Sequence, residues 1–388
     1  MTNPTMRSIA IVGAGMAGFS AATEIRRQGW DGRLVMIGAE THRPYRRPPL
    51  SKEYLLQEAP PSVRLPNADD LEAEWLLGSP ATGLDMQQRM VLIGDRHIAF
   101  DGLVIASGVA PRPVPPHLAQ PGVLVLRTVS DAAVLRRRLA TSRHVLILGA
   151  GFLGSEIASA ATSLGKRVTL VERQPQPMLG AVGDQIGRYV AELHRSHGVD
   201  LRLGLEVTDL ARTPGETRAR LADGSVIAAD LVVAALGARP ATEWLRGSGL
   251  VLDDGVVLDD NGLAAPGIAA AGDVARSPHP LLDGRLVRVE HYSNAIDQGA
   301  RAGRAVLGTL DPDGSVLVPT FWSHLYGRRL QSVGFTGSHL EFHTVHQDPA
   351  GHLLGEYRHE GRLVGAISTG SARTLPRYRR HLAMSAGT

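Results

Sequence analysis

The chain has 388 residues, 43% of them hydrophobic, which is enough to bury more than one core, so two or three domains are expected. A net charge of +3, gathered into no long basic tract, argues against nucleic-acid binding and mildly for an acidic partner. The absence of cysteine excludes disulfides, thiolate metal sites, a CxxC redox pair and a cysteine nucleophile, and with no apolar run near about 18 residues and no signal-peptide core the chain reads as cytoplasmic.

The first predicted elements lie in "RSIAIVGAGMAGFSAATEIRRQGWDGRLVMIGAE". An apolar strand turns through Gly13, Gly15 and Gly18 into an amphipathic helix with Ala22, Ile25 and Trp30 on or near one face, and a second strand ends beside Glu40. In this βαβ pattern Gly13 makes the tight turn, Gly15 lets backbone approach a pyrophosphate and Gly18 lets helix and strand pack closely. The phosphates sit on the helix N-terminus, and Glu40 can accept hydrogen bonds from a ribose diol. The spacing alone is weak, since 44 glycines in 388 residues give about 0.6 accidental matches. The strand before, the helix after and the acid beyond are what make it a dinucleotide site.

Next comes "RRPPLSKEYL", which carries Lys52, one of two lysines in an arginine-rich chain. The prolines fix an extended backbone there and do not name the lysine's target, so from spacing alone Lys52 is either a site residue or an exposed loop lysine.

"FDGLVIASGVAPRPVPP" reads as a strand, Gly108 and a proline-rich exit, a crossing from one domain to another. The fingerprint then recurs in "HVLILGAGFLGSEIASAATSLGKRVTLVER", with Gly149, Gly151, Gly154 and a terminal Glu172. Two nucleotide sites suggest two cofactors used together. An acid at the end of the second strand prefers a free 2′-hydroxyl, so NADH is expected over NADPH, with the neighbouring Arg173 arguing the other way. "ADLVVAALGARPATEWL" repeats the strand-Gly-x-x-Pro pattern at Gly237, so the second unit is read as inserted into the first domain. "GIAAAGDVA" ends a further strand at Gly272 and Asp273, where the carboxylate either reaches ligand hydroxyls or caps the following turn.

From about residue 319 the pattern changes to alternating strands: "HLEFHTVHQ", "HLLGEYRHE" and "RLVGAIS", an antiparallel meander. His339, His343 and His346 fall at odd and even offsets, so they are not expected to share a face, and no metal site is expected. The fold class is therefore α/β, with two Rossmann-like domains and a small α+β C-terminal domain. The first domain is discontinuous over 1–112 and 241–318, the inserted one covers 113–240 and the last covers 319–388.

Taken together, "RPYRRPPLSK", "LVIASGVAPR", "GAGFLGSEIA", "AAGDVA", "SNAIDQG" and "FWSHLYG" resemble the FAD-dependent, NADH-linked ferredoxin reductases of bacterial oxygenase and cytochrome P450 systems, over nearly the whole chain. The resemblance implies a glutathione-reductase-like architecture with FAD on the first fingerprint and NADH on the second. It implies that Lys52 lies over the isoalloxazine near N5 and that Glu156 pairs with it from the NAD side, the two holding the nicotinamide-flavin stack. It also implies FAD contacts for Arg47, Gly108, Gly272, Asp273 and Trp322, and an NADH contact for Gly237. The chain departs from the family pattern at Tyr292, His324 and Leu325, positions the resemblance puts at the flavin's border, which leaves the electron acceptor open.

With no cysteine, electrons must leave directly from the flavin. The leading expectation is a [2Fe-2S] ferredoxin supplying a P450 or oxygenase, steered by Arg373, Arg377, Arg379 and Arg380 in "SARTLPRYRRHL". The alternatives are a small-molecule acceptor such as a quinone or radical, and a nucleotide-sensing protein. A monomer or weak homodimer is expected.

Overall fold

The computed structural model describes residues 6–310, 316–349, 351–371 and 373–385. Its first sheet runs, in spatial order, Leu263–Ala265, Ile268–Ala270, Gly102–Ile105, Ser8–Val12, Arg33–Ile37, Glu74–Leu76. The strands Ile268–Ala270 through Glu74–Leu76 are parallel, and beyond Ser8 and Arg33, which open two of them, the three middle ones are buried and built of apolar residues and Gly102 because both faces are covered. The helix Met16–Arg27 covers one face and packs on Tyr292–Leu307. That approach depends on Gly299, where a Cβ would fall 2.4 Å from the Ala17 carbonyl oxygen. Glu24, buried in this contact, is held by Arg27 at 2.7 Å and Arg304 at 2.5 Å.

The second sheet is wholly parallel, in the order Asp200–Leu203, Arg167–Glu172, His144–Leu148, Leu231–Ala234, Val123–Leu124. The helix Phe152–Ser163 follows its central strand. The chain crosses between the two sheets through Val109–Pro111 and Ala238–Pro240, which pair antiparallel as a two-stranded ribbon. Both halves of the strand-Gly-x-x-Pro pattern thus meet.

The C-terminal sheet is antiparallel, ordered Thr320–Leu325, Arg328–Gly334, Arg362–Ser368, Leu353–His359, Glu341–Gln347. The last three strands form the expected meander. The hairpin Thr320–Gly334, which the sequence reading did not separate, adds two strands to its inner edge. A bulge at Val345 also corrects the histidine argument, because the extra residue sets His343 opposite Glu356 and His346 opposite Leu354, two positions of one face. His339 lies before this strand. The helix Leu375–Ser385 buries Leu375 and Leu382 and leaves Arg377, Arg379 and Arg380 exposed, with Arg373 exposed just before it.

This sheet shares a core with the segment between the two crossing strands. The helix Leu179–Ser196 bends at Gly183, and Met178, Val182, Ile186 and Val190 join Phe321, Leu325, Leu330 and Tyr357 in one apolar cluster. Beside the bend, Tyr357 donates to the Val182 carbonyl at 2.6 Å and Thr336 to the Ala181 carbonyl at 2.7 Å. No helix among the described residues is long and apolar enough to cross a membrane.

Candidate active site

Both glycine-rich turns open on one continuous cleft of about 1540 Å³. Within each turn the glycines divide into two kinds. A Cβ on Gly13 would meet the Ala106 carbonyl oxygen at 2.0 Å, and one on Gly18 the Gly13 oxygen at 1.9 Å. In the second turn, Gly149 and Gly154 face carbonyl oxygens of Ala235 and Gly149 at 2.4 and 1.9 Å. These four are fixed by the protein's own packing. Gly15 and Gly151 meet nothing within 4 Å, so backbone there borders open space. Each also caps a 12-residue helix whose first turn carries neither an acidic side chain nor a side-chain cap. Free N–H groups and the positive end of a helix dipole at an open surface fit a pyrophosphate, so the cleft fits two dinucleotides.

Glu40, Glu172 and Asp273 line the same cleft. Glu40 accepts from Tyr45 and Arg47, both at 2.5 Å, and Arg47 reaches on to the Arg127 carbonyl at 2.7 Å. Glu172 accepts from the Ala150 N–H at 2.7 Å and the Gln174 N–H at 2.9 Å, which fixes its carboxylate against the second turn. Asp273 faces Arg127 at 3.3 Å. Burial pushes the Asp273 carboxyl up from its ordinary range, and the guanidinium pulls it back. Gly108 and Gly237 both adopt left-handed backbone, at φ 67° and 89°, on the loops that begin the two crossing strands, and Gly272 does so at φ 76° just before Asp273.

Lys52 and Glu156 meet at 2.7 Å, with side chains 12% and 8% exposed. Lys52 also donates to the Pro48 carbonyl at 3.1 Å, across the short 3₁₀ turn Pro48–Ser51 that stands here in place of the extended backbone expected from the prolines. Glu156 further accepts from Ser51 at 2.5 Å and Ser323 at 2.7 Å. Neither serine, nor Arg127, was singled out from sequence. Their side chains reach the site through contacts 105 to 167 residues apart in the chain, which no local spacing encodes.

Trp322 lines the cleft and stacks edge-on with Tyr292, rings 6.1 Å apart. His291, beside Phe321, also lines it, and burial pushes its pKa down to about 4, so the imidazole is neutral. Of the three departures, Tyr292 borders the cleft and the other two do not. Leu325 turns into the core, 2% exposed, because it shares strand parity with Phe321 and Ser323. His324 points outward, its pKa lowered by burial, Arg329 and Lys52. On the surface, Asp283, His359 and Glu360 bring possible metal ligands within 4.8 Å of one another, but Arg362 already holds Asp283 at 2.5 Å.

Comparison with known proteins gives the family. Residues 7–299 match the family model described as pyridine nucleotide-disulphide oxidoreductase. Rhodocoxin reductase of Rhodococcus erythropolis is 38% identical over 85% of this chain and 78% of its own length. The ferredoxin--NAD(+) reductase subunit of a benzene 1,2-dioxygenase system from Pseudomonas putida is 36% identical over 84% of this chain and 80% of its own. The covalent putidaredoxin reductase-putidaredoxin complex superposes with a TM-score of 0.90 at 28% identity, covering 98% of this chain and 94% of that one. The chain belongs to the pyridine nucleotide-disulphide oxidoreductase family, as an oxidoreductase homologous to its ferredoxin reductases.

Proposed function

We propose that this protein binds FAD at the first fingerprint and NADH at the second, takes hydride from NADH, and passes electrons singly to a [2Fe-2S] ferredoxin that supplies a cytochrome P450 or oxygenase. FAD supplies the step between these partners, since it accepts two electrons as hydride and releases them one at a time. The observation that carries the reading is that two open helix N-termini and the Lys52–Glu156 pair share one cleft.

On this reading the segments to residue 112 and from 241 to 318 hold FAD. Gly13, Gly15 and Gly18 shape its phosphate site, Glu40 takes the ribose, Arg47 and Arg127 bring positive charge, and Gly108, Gly272 and Asp273 line the ribityl side. Trp322 stands at the ring end. Segment 113–240 holds NADH through Gly149, Gly151, Gly154, Glu172 and Gly237. Lys52 and Glu156 hold the two rings in register, and their buried opposite charges keep the site's net charge fixed while water is excluded. Exposed Arg373, Arg377, Arg379 and Arg380 favour approach by an acidic ferredoxin.

The test is NADH-driven cytochrome c reduction by the purified protein with and without a bacterial [2Fe-2S] ferredoxin. Strong stimulation by ferredoxin is expected. Rapid NADH oxidation that no ferredoxin accelerates would replace the protein partner with a small-molecule acceptor.

A further inference from the structure

We propose that Ser51 and Ser323 are positioning residues that clamp the Glu156 carboxylate from two sides and hold it on Lys52. Nothing in the resemblance gives these serines a role. The inference rests on the reading above, in which Lys52 and Glu156 register the two rings.

The geometry is complete on the protein's own atoms. Glu156 Oε2 receives Ser51 Oγ at 2.5 Å and Lys52 Nζ at 2.7 Å, while Oε1 receives Ser323 Oγ at 2.7 Å. All three polar side chains around the ammonium are buried: Ser51 is 5% exposed, Glu156 7% and Ser323 0%. A carboxylate offers about four lone-pair sites, and three are filled here. The acceptor and the two hydroxyls come from three separate elements. Glu156 rides on the helix Phe152–Ser163, Ser51 ends the short 3₁₀ turn Pro48–Ser51, and Ser323 lies in the strand Thr320–Leu325.

A glutamate has three rotatable side-chain bonds, and with lysine alone as partner its carboxylate would slide over the ammonium. Hydroxyls bound to opposite oxygens remove that freedom. Ser51 adjoins Lys52 in sequence, so one backbone segment supplies both groups on Oε2, and the direction of the ion pair is tied to the turn that carries the lysine. Ser323 brings the C-terminal sheet into the same contact, next to Trp322. Misplacement of a positioning group by about 1 Å can cost up to about a hundredfold in rate, and loss of one of three bonds should cost part of that.

The test compares Ser51→Ala, Ser323→Ala, their threonine counterparts and Glu156→Gln, all as FAD-loaded protein. Alanine is smaller than serine and leaves the core room, so full FAD content is expected. In rapid mixing with NADH, each alanine variant should reduce its flavin about tenfold more slowly at saturation, with the dissociation constant for NADH moving less than twofold. Threonine, which keeps the hydroxyl, should restore the rate at one position or both. A readout independent of turnover is urea unfolding, where Ser323→Ala and a further variant, Glu156→Leu, should be non-additive because either one removes the bond they share. Alanine variants that match wild type in rate, or whose rate and NADH affinity fall together, or additive unfolding effects, overturn the clamp. If only Glu156→Gln slows flavin reduction, the clamp fails and the ion-pair reading stands. If Glu156→Gln also reduces at the wild-type rate, the ion-pair reading itself fails.

Discussion

Alanine placed at Gly18 and at Gly15 should separate what the fold requires from what the ligand requires. At Gly18 the new Cβ would stand 1.9 Å from the Gly13 carbonyl oxygen and 3.2 Å from an Ile11 methyl. Ordinary contact begins near about 3.5 Å, so helix and turn must part by roughly 1.5 Å. Overpacking of this kind costs about 1–3 kcal/mol, against which alanine returns up to about 1 kcal/mol of helix propensity. With about 2–4 °C lost per kcal/mol in a protein of this class, Gly18→Ala should melt several degrees lower even without FAD. Gly15 is different, because it has extended backbone at φ −93° and ψ −165°, and its Cβ meets nothing within 4 Å. Gly15→Ala should therefore melt like wild type when stripped of FAD, yet bind FAD at least about tenfold more weakly, since the methyl takes the room a phosphate needs. The assays are circular-dichroism melting of the stripped protein and FAD titration followed by flavin fluorescence. Wild-type FAD affinity in Gly15→Ala, or wild-type melting in Gly18→Ala, would refute the reasoning. The second turn offers the internal check: Gly151→Ala should keep its FAD and raise only the KM for NADH.

Other expectations follow from the buried charges and bonds. Lys52→Met leaves the Glu156 carboxylate buried without its cation and should cost about 3–5 kcal/mol in urea unfolding, much of it recovered in the double variant Lys52→Met/Glu156→Leu. Glu24 has its pKa lowered from 4.5 to about 2, chiefly by the Arg27 hydrogen bond, so its contribution is present above pH 4.5 and is lost as pH falls toward 2. Glu24→Gln should accordingly flatten the melting-temperature profile across that window while lowering the plateau above it. Tyr357→Phe removes the 2.6 Å bond to the Val182 carbonyl at a fully buried position and should cost about 1–2 kcal/mol, read from the urea midpoint.

How far the sequence can be read depends on how local the cause is. The two glycine turns are legible because each needs only its own strand and helix, and an acid stands at or just past the end of each second strand, 22 residues beyond Gly18 and 18 beyond Gly154. Ser51, Ser323 and Arg127 are not legible, since a serine or an arginine has no spacing signal and its meaning comes from segments that pack only after the chain has folded. The bulge at Val345 defeats a period-two argument for a simpler reason: one extra residue reverses the faces of everything beyond it. Leu325 shows the converse, where simple parity would have turned it toward the core, away from the border position that motif resemblance had given it.

The paired crossing strands carry a consequence for how such a chain can change. Pro111 lies opposite Ala238, so the inserted segment enters and leaves its host side by side. A segment whose two ends touch can be replaced while the flanking chain still closes on itself, provided the replacement covers the apolar face of the C-terminal sheet that Met178, Val182, Ile186 and Val190 now bury. The ribbon is thus a natural seam for grafting, but a transplanted segment must also bring a carboxylate in place of Glu156, which meets Lys52, Ser51 and Ser323 of the host.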